Sequence, residues 1–389
     1  MLPYLFLILL ELLLILINYR FNCNKKLNLL FLLTLTICYS FLLGFRSPTV
    51  GIDTSTYLKF YHGTSISDYV QTQADFEIGY SYLSKTFAKF NIPFSIFLFV
   101  ISFATYFFIS LFCYRTTKHS LILFTVINCL GIGNLVFSAI RQIFALGIML
   151  VGFVPPKKLE EHLVLKNLYS TIFIILGSLF HYSALIGLIL LIIHNIRIKK
   201  KLFYFILFIS LVICIISPWF YVFIYRNTGS FSYAYFPDFS TTPYSTILYF
   251  LILFFLIFFS NFENIQFLNK ILTFLDKKMP KSHIFTNLVS KDSKNIYSNK
   301  NNESILLFIV FTVIVLCIGL TGLIFSRFIY FIIPFVALAF IKIVETFNHK
   351  SLTFLSIAIL LFGSIFYFFV TGILLDSLRI TPYSFGYTL

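Results

Sequence analysis

The sequence predicts an all-α integral membrane protein with about twelve spanning helices. Two observations carry that expectation. Hydrophobic residues make up 59% of the 389-residue chain and charged residues only 11%, against roughly 25% charged in an ordinary soluble domain. Apolar runs of about 18–20 residues recur along the chain, each long enough to cross a hydrocarbon core of roughly 30 Å. No water is available at that depth, so the backbone must satisfy its own hydrogen bonds, and a helix does so within one segment.

The spans are read at 2–18, 27–44, 93–113, 120–137, 139–154, 168–180, 183–196, 202–220, 245–260, 304–324, 328–346 and 351–372. The whole chain, 1–389, forms one polytopic domain in this reading. Met1 to Ile17 has no basic leader and no small-residue cleavage site, so it reads as a retained helix. Three runs, 139–154, 168–180 and 183–196, are short for a full crossing and suit tilted, broken or re-entrant segments. With the N-terminus outside, 21 of the 29 Lys and Arg fall on cytoplasmic segments, which is the sense of the positive-inside rule. That orientation makes 45–92 a long extracytoplasmic loop after the second helix and 261–303 a cytoplasmic linker rich in Lys, Asn and Ser.

The net charge of +15 does not argue for nucleic acid, because cytoplasmic basic residues are what orient a membrane protein. The six cysteines, Cys23, Cys38, Cys113, Cys129, Cys214 and Cys317, form no CxxC pair and lie mostly in apolar runs. They read as small hydrophobes, with no disulfide framework and no metal site. No cofactor is expected.

Chemistry-bearing residues gather on the outer side of this topology. The loop 45–92 holds Arg46, Asp53, Asp68, Asp75 and Glu77 interleaved with Tyr57, Tyr61, Tyr69, Tyr80 and Tyr82. Tyr rings stack on sugar faces and carboxylates accept hydroxyl protons, so the loop suits a saccharide surface; a solvated loop without a ligand is the plainer alternative. Arg141 stands in a nearly continuous apolar stretch at the outer boundary. It suits either an anion clamp, since a guanidinium forks onto phosphate oxygens, or an interfacial residue that snorkels. His181 lies between two short apolar runs and suits proton transfer near neutral pH, or a satisfied structural role. Arg226, Arg327 and Arg379 complete the outer arginines. Glu11 stands inside the first span with no partner legible.

The order of these residues resembles the EpsG family of exopolysaccharide polymerases. The segments are Arg46-x4-Gly51-Ile52-Asp53-x3-Tyr57, Glu77-Ile78-Gly79-Tyr80-x2-Leu83, Ser138-x2-Arg141-Gln142, Phe180-His181-Tyr182-Ser183-Ala184, Arg327-x2-Tyr330-x3-Pro334 and Pro382-Tyr383. The resemblance runs from residue 46 to 383, and the linker 261–303 carries none of it. It implies a GT-C-like, Wzy-type glycosyltransferase of the bacterial cytoplasmic membrane. Such an enzyme polymerises polyprenyl-diphosphate-linked oligosaccharide repeats into exopolysaccharide, capsule or O-antigen, among membrane lipids and beside a flippase and a chain-length regulator.

Within that reading, Arg141, Arg327 and Arg46 hold the diphosphate. His181 is the first choice of base, with Asp53 and Glu77 as alternatives. Tyr57, Tyr80 and Arg226 bind sugar. A flippase of lipid-linked oligosaccharide, a membrane O-acyltransferase and a non-catalytic assembly scaffold are the rivals. The sugar product after loss of the protein separates them: loss of a polymerase leaves single repeat units on the lipid outside, loss of a flippase leaves them inside, and loss of an acyltransferase leaves full-length polymer lacking a substituent.

Overall fold

The computed structural model describes residues 2–21, 24–63, 76–195, 323–345, 350–376 and 378–386. Two long apolar helices, Leu2–Phe21 (α1) and Lys25–Gly44 (α2), meet at Asn24, whose side chain accepts the Leu27 N–H at 2.9 Å and starts α2. The segment after α2 then forms two short helices, Thr54–Tyr61 (α3) and Ile78–Lys89 (α4). Pro93 stands at the N-cap of Phe94–Thr116 (α5), where its missing N–H costs nothing.

Ser120–Ile127 (α6) runs into a π-turn, Asn128–Ile132, and the short Gly133–Leu135 (α7). Ile140–Gly152 (α8), Lys157–Glu160 (α9) and Leu163–Ser178 (α10) follow. A 3-10 turn at Tyr182–Leu185 leads into Ile186–Asn195 (α11). Leu323–Val344 (α12) and Lys350–Phe368 (α13) come last, α13 ending in a π-turn at Phe369–Leu374. The described residues are helical, apart from turns and one isolated antiparallel bridge between Arg46 and Phe385.

Five helical stretches are long and apolar enough to cross a membrane: Leu2–Phe21, Lys25–Gly44, Phe94–Thr116, Arg327–Val344 and Thr353–Leu374. Of four shorter apolar helical stretches, Ile140–Gly152, Leu163–Ser178 and Tyr182–Ile193 stand where the three short spans were expected, and Ser120–Leu135 stands on the expected span 120–137. At 1.5 Å per residue, α8 is only about 20 Å long, less than a bilayer core. Nine of the expected spans therefore fall on described helices. The expected spans 202–220 and 245–260, nearly all of 304–324, and the linker 261–303 lie outside the described residues.

The chain divides into two compact units, one of Met1–Leu191 with Leu360–Leu389 and one of Ile192–Ile359. In the first, α2 packs on α5, α5 on α8 and α8 on α10. The middle of that row is α8, buried at every position except Arg141. A helix apolar all round is one enclosed by its neighbours, whereas α1 leaves Phe6, Leu9, Leu13 and Leu16 exposed for lipid. In the second unit, α12 buries Phe331, Ile332, Ile333 and Ala337.

The stretch after α2 is fastened to the C-terminal tail. Ser47 N–H donates to Ser384 O (2.8 Å), Gly51 N–H to Arg379 O (2.8 Å) and Gly386 N–H to Phe45 O (2.9 Å). Tyr383 donates its hydroxyl to Leu42 O at 2.7 Å, and the Tyr4 hydroxyl reaches Ile380 O. Gly51 takes φ +87°, and a Cβ there would stand 1.9 Å from Phe137 O, so only glycine lets the loop touch the turn before α8. Ser138 closes the contact, accepting the Ile52 N–H (2.9 Å) while donating to Leu378 O (3.1 Å).

Candidate functional site

Three residues of the expected site come together in the first unit. Glu77 occupies the N-cap position of α4 yet makes no cap hydrogen bond with its side chain. Its carboxylate is engaged elsewhere: Oε2 takes the Arg141 guanidinium, and Oε1 lies 2.7 Å from His181 Nδ1. The three stand 64 and 104 residues apart in sequence.

The backbone that holds this arrangement is set by local chemistry. The first N–H groups of a helix have no partner within it. At α4 the Gly79 N–H donates to Leu179 O (2.8 Å), in the turn that ends α10. A Cβ on residue 79 would come within 2.8 Å of that oxygen, so glycine is what allows the start of α4 to seat there. His181 follows two residues on, its own N–H donating to Gly177 O at 3.1 Å. Docking Gly79 on Leu179 therefore sets Glu77 opposite His181. Ala184, fully buried, anchors the 3-10 turn beyond it.

Arg141 lies in the first turn of α8, where the helix dipole disfavours a cation. Glu77 supplies the opposite charge, and a ring cage supplies the rest. The guanidinium carbon is 4.1 Å from the Phe76 ring centre, 5.7 Å from Tyr57 and 5.8 Å from Tyr80. Each such contact adds about 0.5–2 kcal/mol, more as it is desolvated. Tyr57, Phe76 and Tyr80 belong to a buried aromatic cluster with Tyr61, Phe94 and Phe97.

Charge and burial oppose each other at Glu77. Burial by itself raises its carboxyl, but the His181 hydrogen bond and the Arg141 charge outweigh this and hold it below the ordinary value of 4.5. Burial pushes the Tyr57 phenol up to about 12, against the nearby Arg141 charge and with the nearby Asp53 carboxylate. Burial also places the Tyr80 phenol well above its ordinary value. Both remain neutral phenols at physiological pH.

Two polar atoms of the triad are buried and unpaired. His181 Nε2 and Arg141 Nε have no hydrogen-bond partner among the described residues. With Nδ1–H donating to Glu77, the imidazole carries its lone pair on Nε2. The side chains of Arg141 and His181 keep 20% and 12% of their surface exposed, through atoms other than these two.

The other expected residues are placed differently. Arg46 is 3% exposed; it donates to Leu43 O (2.9 Å) and to Thr54 Oγ1 (3.3 Å), beside the Phe137 ring. Burial lowers its guanidinium to about 10. Its donors organise the loop instead of facing outward, which differs from the role expected of it on the diphosphate. Tyr57 and Tyr80, 3% and 0% exposed, lie beneath Arg141 and not on an open sugar-stacking face. Their burial follows from the amphipathic packing of α3 and α4 on α5. Asp53 takes the N-cap position of α3 without a side-chain cap bond. Arg327 is exposed on α12, in the second unit. Arg226 lies outside the described residues.

Sequence reading did not single out Phe76, although it directly precedes Glu77, nor Thr54, which directly follows Asp53. Adjacency to a motif residue was the available signal. Among the described residues no group of three His, Cys, Asp or Glu is placed to hold a metal ion.

The EpsG family model matches residues 29–385, nearly the whole chain, and the chain belongs to that family. It is thereby a multi-pass membrane protein of the polysaccharide-polymerase type. No curated protein and no solved structure matches it.

Proposed function

With EpsG-family membership as the premise, we propose that the protein polymerises polyprenyl-diphosphate-linked oligosaccharide repeats on the outer side of the bacterial cytoplasmic membrane, with Glu77, His181 and Arg141 as its working centre. The observation that carries this reading is the single carboxylate of Glu77 held between a guanidinium and an imidazole. Transfer from a lipid diphosphate needs an acceptor hydroxyl deprotonated and a leaving diphosphate stabilised. Such a pair of tasks suits these two partners.

His181 Nε2 takes the proton of the acceptor hydroxyl as that oxygen forms its bond to the anomeric carbon. The bond from that carbon to the diphosphate oxygen breaks, and the lipid diphosphate leaves with both bonding electrons. A direct displacement of this kind inverts the anomeric centre. Glu77 fixes the His181 tautomer and stabilises the imidazolium that forms, so it acts as a positioning group and not as the base. Arg141 offers its remaining N–H donors to the diphosphate oxygens, where a planar fork outperforms a point charge. Arg327 is kept as a second diphosphate contact and Arg226 as a sugar contact, both on resemblance. Arg46 is reassigned to holding the loop, and Tyr57 and Tyr80 to seating Arg141. Asp53, at the edge of the same loop, is kept as an alternative acceptor of the hydroxyl proton.

The test is polymerisation by the purified protein in proteoliposomes, supplied with lipid-linked repeat units and read by product size. Wild type is expected to build polymer. His181→Ala is expected to lose it by about 10²–10⁴-fold, the usual worth of a general base, and Arg141→Lys to lose much of it despite keeping the charge. Normal polymer from both variants overturns the assignment. Repeat units that change membrane side without lengthening identify a flippase instead.

A further inference from the structure

A second polar cluster lies inside the membrane-spanning part of the first unit. Glu11, at the middle of α1, is 0% exposed. Its Oε1 accepts from the Tyr39 hydroxyl (2.8 Å) on α2 and from Asn128 Nδ2 (3.3 Å) at the π-turn after α6. Thr125, one turn earlier on α6, adjoins the same carboxyl. The Tyr39 ring stacks on Tyr106 of α5, with centres 4.6 Å apart. Four helices thus converge on one acid.

The accounting of polar atoms there is incomplete. Glu11 Oε2, Asn128 Oδ1, Thr125 Oγ1 and the Tyr106 hydroxyl are buried and have no hydrogen-bond partner among the described residues. One unsatisfied buried group is costly, and four in one cluster point to an occupant. Glu11 forms no ion pair with a described Lys, Arg or His. A carboxylate at membrane depth calls for a counter-charge.

We infer that the Glu11 cluster binds one small monovalent cation, of the size of sodium, through an all-oxygen shell from α1, α5, α6 and the π-turn that follows α6. The donors are a carboxylate, an amide carbonyl and two hydroxyls, the oxygen set that hard cations prefer. One carboxylate balances one positive charge; a divalent ion would leave a net charge in the bilayer. The helix is also broken beside Asn128: the π-turn Asn128–Ile132 contains Gly131 at φ +119°. Broken helices near the bilayer middle are where membrane proteins place sodium, because irregular backbone turns carbonyls toward the ion. The bound ion clamps α1, α5 and α6 together, so it stabilises the folded chain by mass action.

The experiment uses the full chain in lipid nanodiscs, with choline chloride as baseline and sodium chloride replacing it at constant ionic strength. Sodium is expected to raise the melting temperature by about 2–4 °C and then saturate. Equilibrium binding of radioactive sodium is expected to reach one ion per chain. Glu11→Gln should abolish both responses, Thr125→Val should weaken sodium binding, and Glu77→Gln should leave the sodium response intact. Equal melting in choline and sodium together with no bound ion overturns the proposal. Sodium binding that survives Glu11→Gln also overturns it. So does a rise reproduced by lowering the pH in choline and not increased by sodium, which would make the occupant a proton.

Discussion

Glu77 and Glu11 are both buried carboxylates, 6% and 0% exposed, and the described residues around them differ in kind. Glu77 meets a guanidinium and an imidazole brought from α8 and the turn after α10. Glu11 meets a phenol and an amide brought from α2 and the end of α6. The first environment answers charge with charge and keeps part of the Arg141 and His181 side chains exposed. The second offers only neutral dipoles among its described side chains, and leaves the counter-charge to the proposed cation. The contrast teaches that one fold accommodates a buried acid in two ways, by cationic side chains and by neutral dipoles. Near the interface a long cationic side chain keeps some hydration while it pairs. In the hydrocarbon layer, each further charged side chain adds its own transfer cost.

Neutralising Glu77 is the largest expected break in this comparison. Glu77→Gln keeps shape and burial but removes the charge that serves both partners at once. Polymerisation in proteoliposomes should fall about 10²–10⁴-fold, the worth of the base it orients, with the melting temperature changed far less. A fall of only two- or three-fold would make Glu77 as incidental to catalysis as any surface acid.

Gly51→Ala should come next, because it attacks the scaffold and not the charges. The new Cβ meets Phe137 O while the backbone sits at φ +87°. The conformational strain alone is about 1–3 kcal/mol, and the contact adds to it, so thermal unfolding in detergent should come several degrees earlier. An unchanged transition would mean that the loop does not depend on its contact with the turn before α8.

A pH series sharpens the electrostatic half of the comparison. The Glu77 carboxyl is held below 4.5 in the folded protein, so it binds fewer protons folded than unfolded in that range. Its contribution to stability is complete above about 4.5 and is lost as the pH falls through the folded value. The stability difference between wild type and Glu77→Gln should therefore stay flat from about pH 6 to 8 and shrink in acid. Shrinkage between pH 6 and 8 would show that burial, and not pairing, dominates at Glu77.

The smallest effect is expected at the tail. Tyr383→Phe removes the hydrogen bond to Leu42 O and should cost about 0.5–1.5 kcal/mol of stability. Polymerisation should change little, since the triad lies on other elements. A large loss of activity would tie the tail to the site.

Much of the architecture was legible beforehand. The expected spans 2–18, 27–44 and 93–113 coincide with α1, α2 and α5 to within a few residues. The short runs at 139–154, 168–180 and 183–196 are short helices. The loop 45–92 was less legible. It contains α3 and α4, amphipathic helices of eight and twelve residues whose apolar faces are aromatic, and an aromatic-rich loop has the same composition. Tyr57 and Tyr80 were read as open sugar-binding rings for that reason. Their burial arises from packing against Phe97 and Ile101 of α5, which no local pattern in the loop records.

The amino-acid sequence by itself determined the membrane class, the helical segments, the interleaving of acids and Tyr in the segment after α2, and the motif order that places the chain in its family. Those are properties of residue type and spacing along one dimension. Tertiary structure decided that Glu77 pairs with Arg141 and His181 and not with the nearer Arg46, and that Arg46 turns inward to Leu43 and Thr54. It also decided that α8 is enclosed by protein while α1 faces lipid. The physical reason is that an apolar run reads alike whether lipid or protein covers it. An ion pair exists only where folding brings its two charges within a few ångströms, and here the decisive contact was backbone to backbone, Gly79 on Leu179.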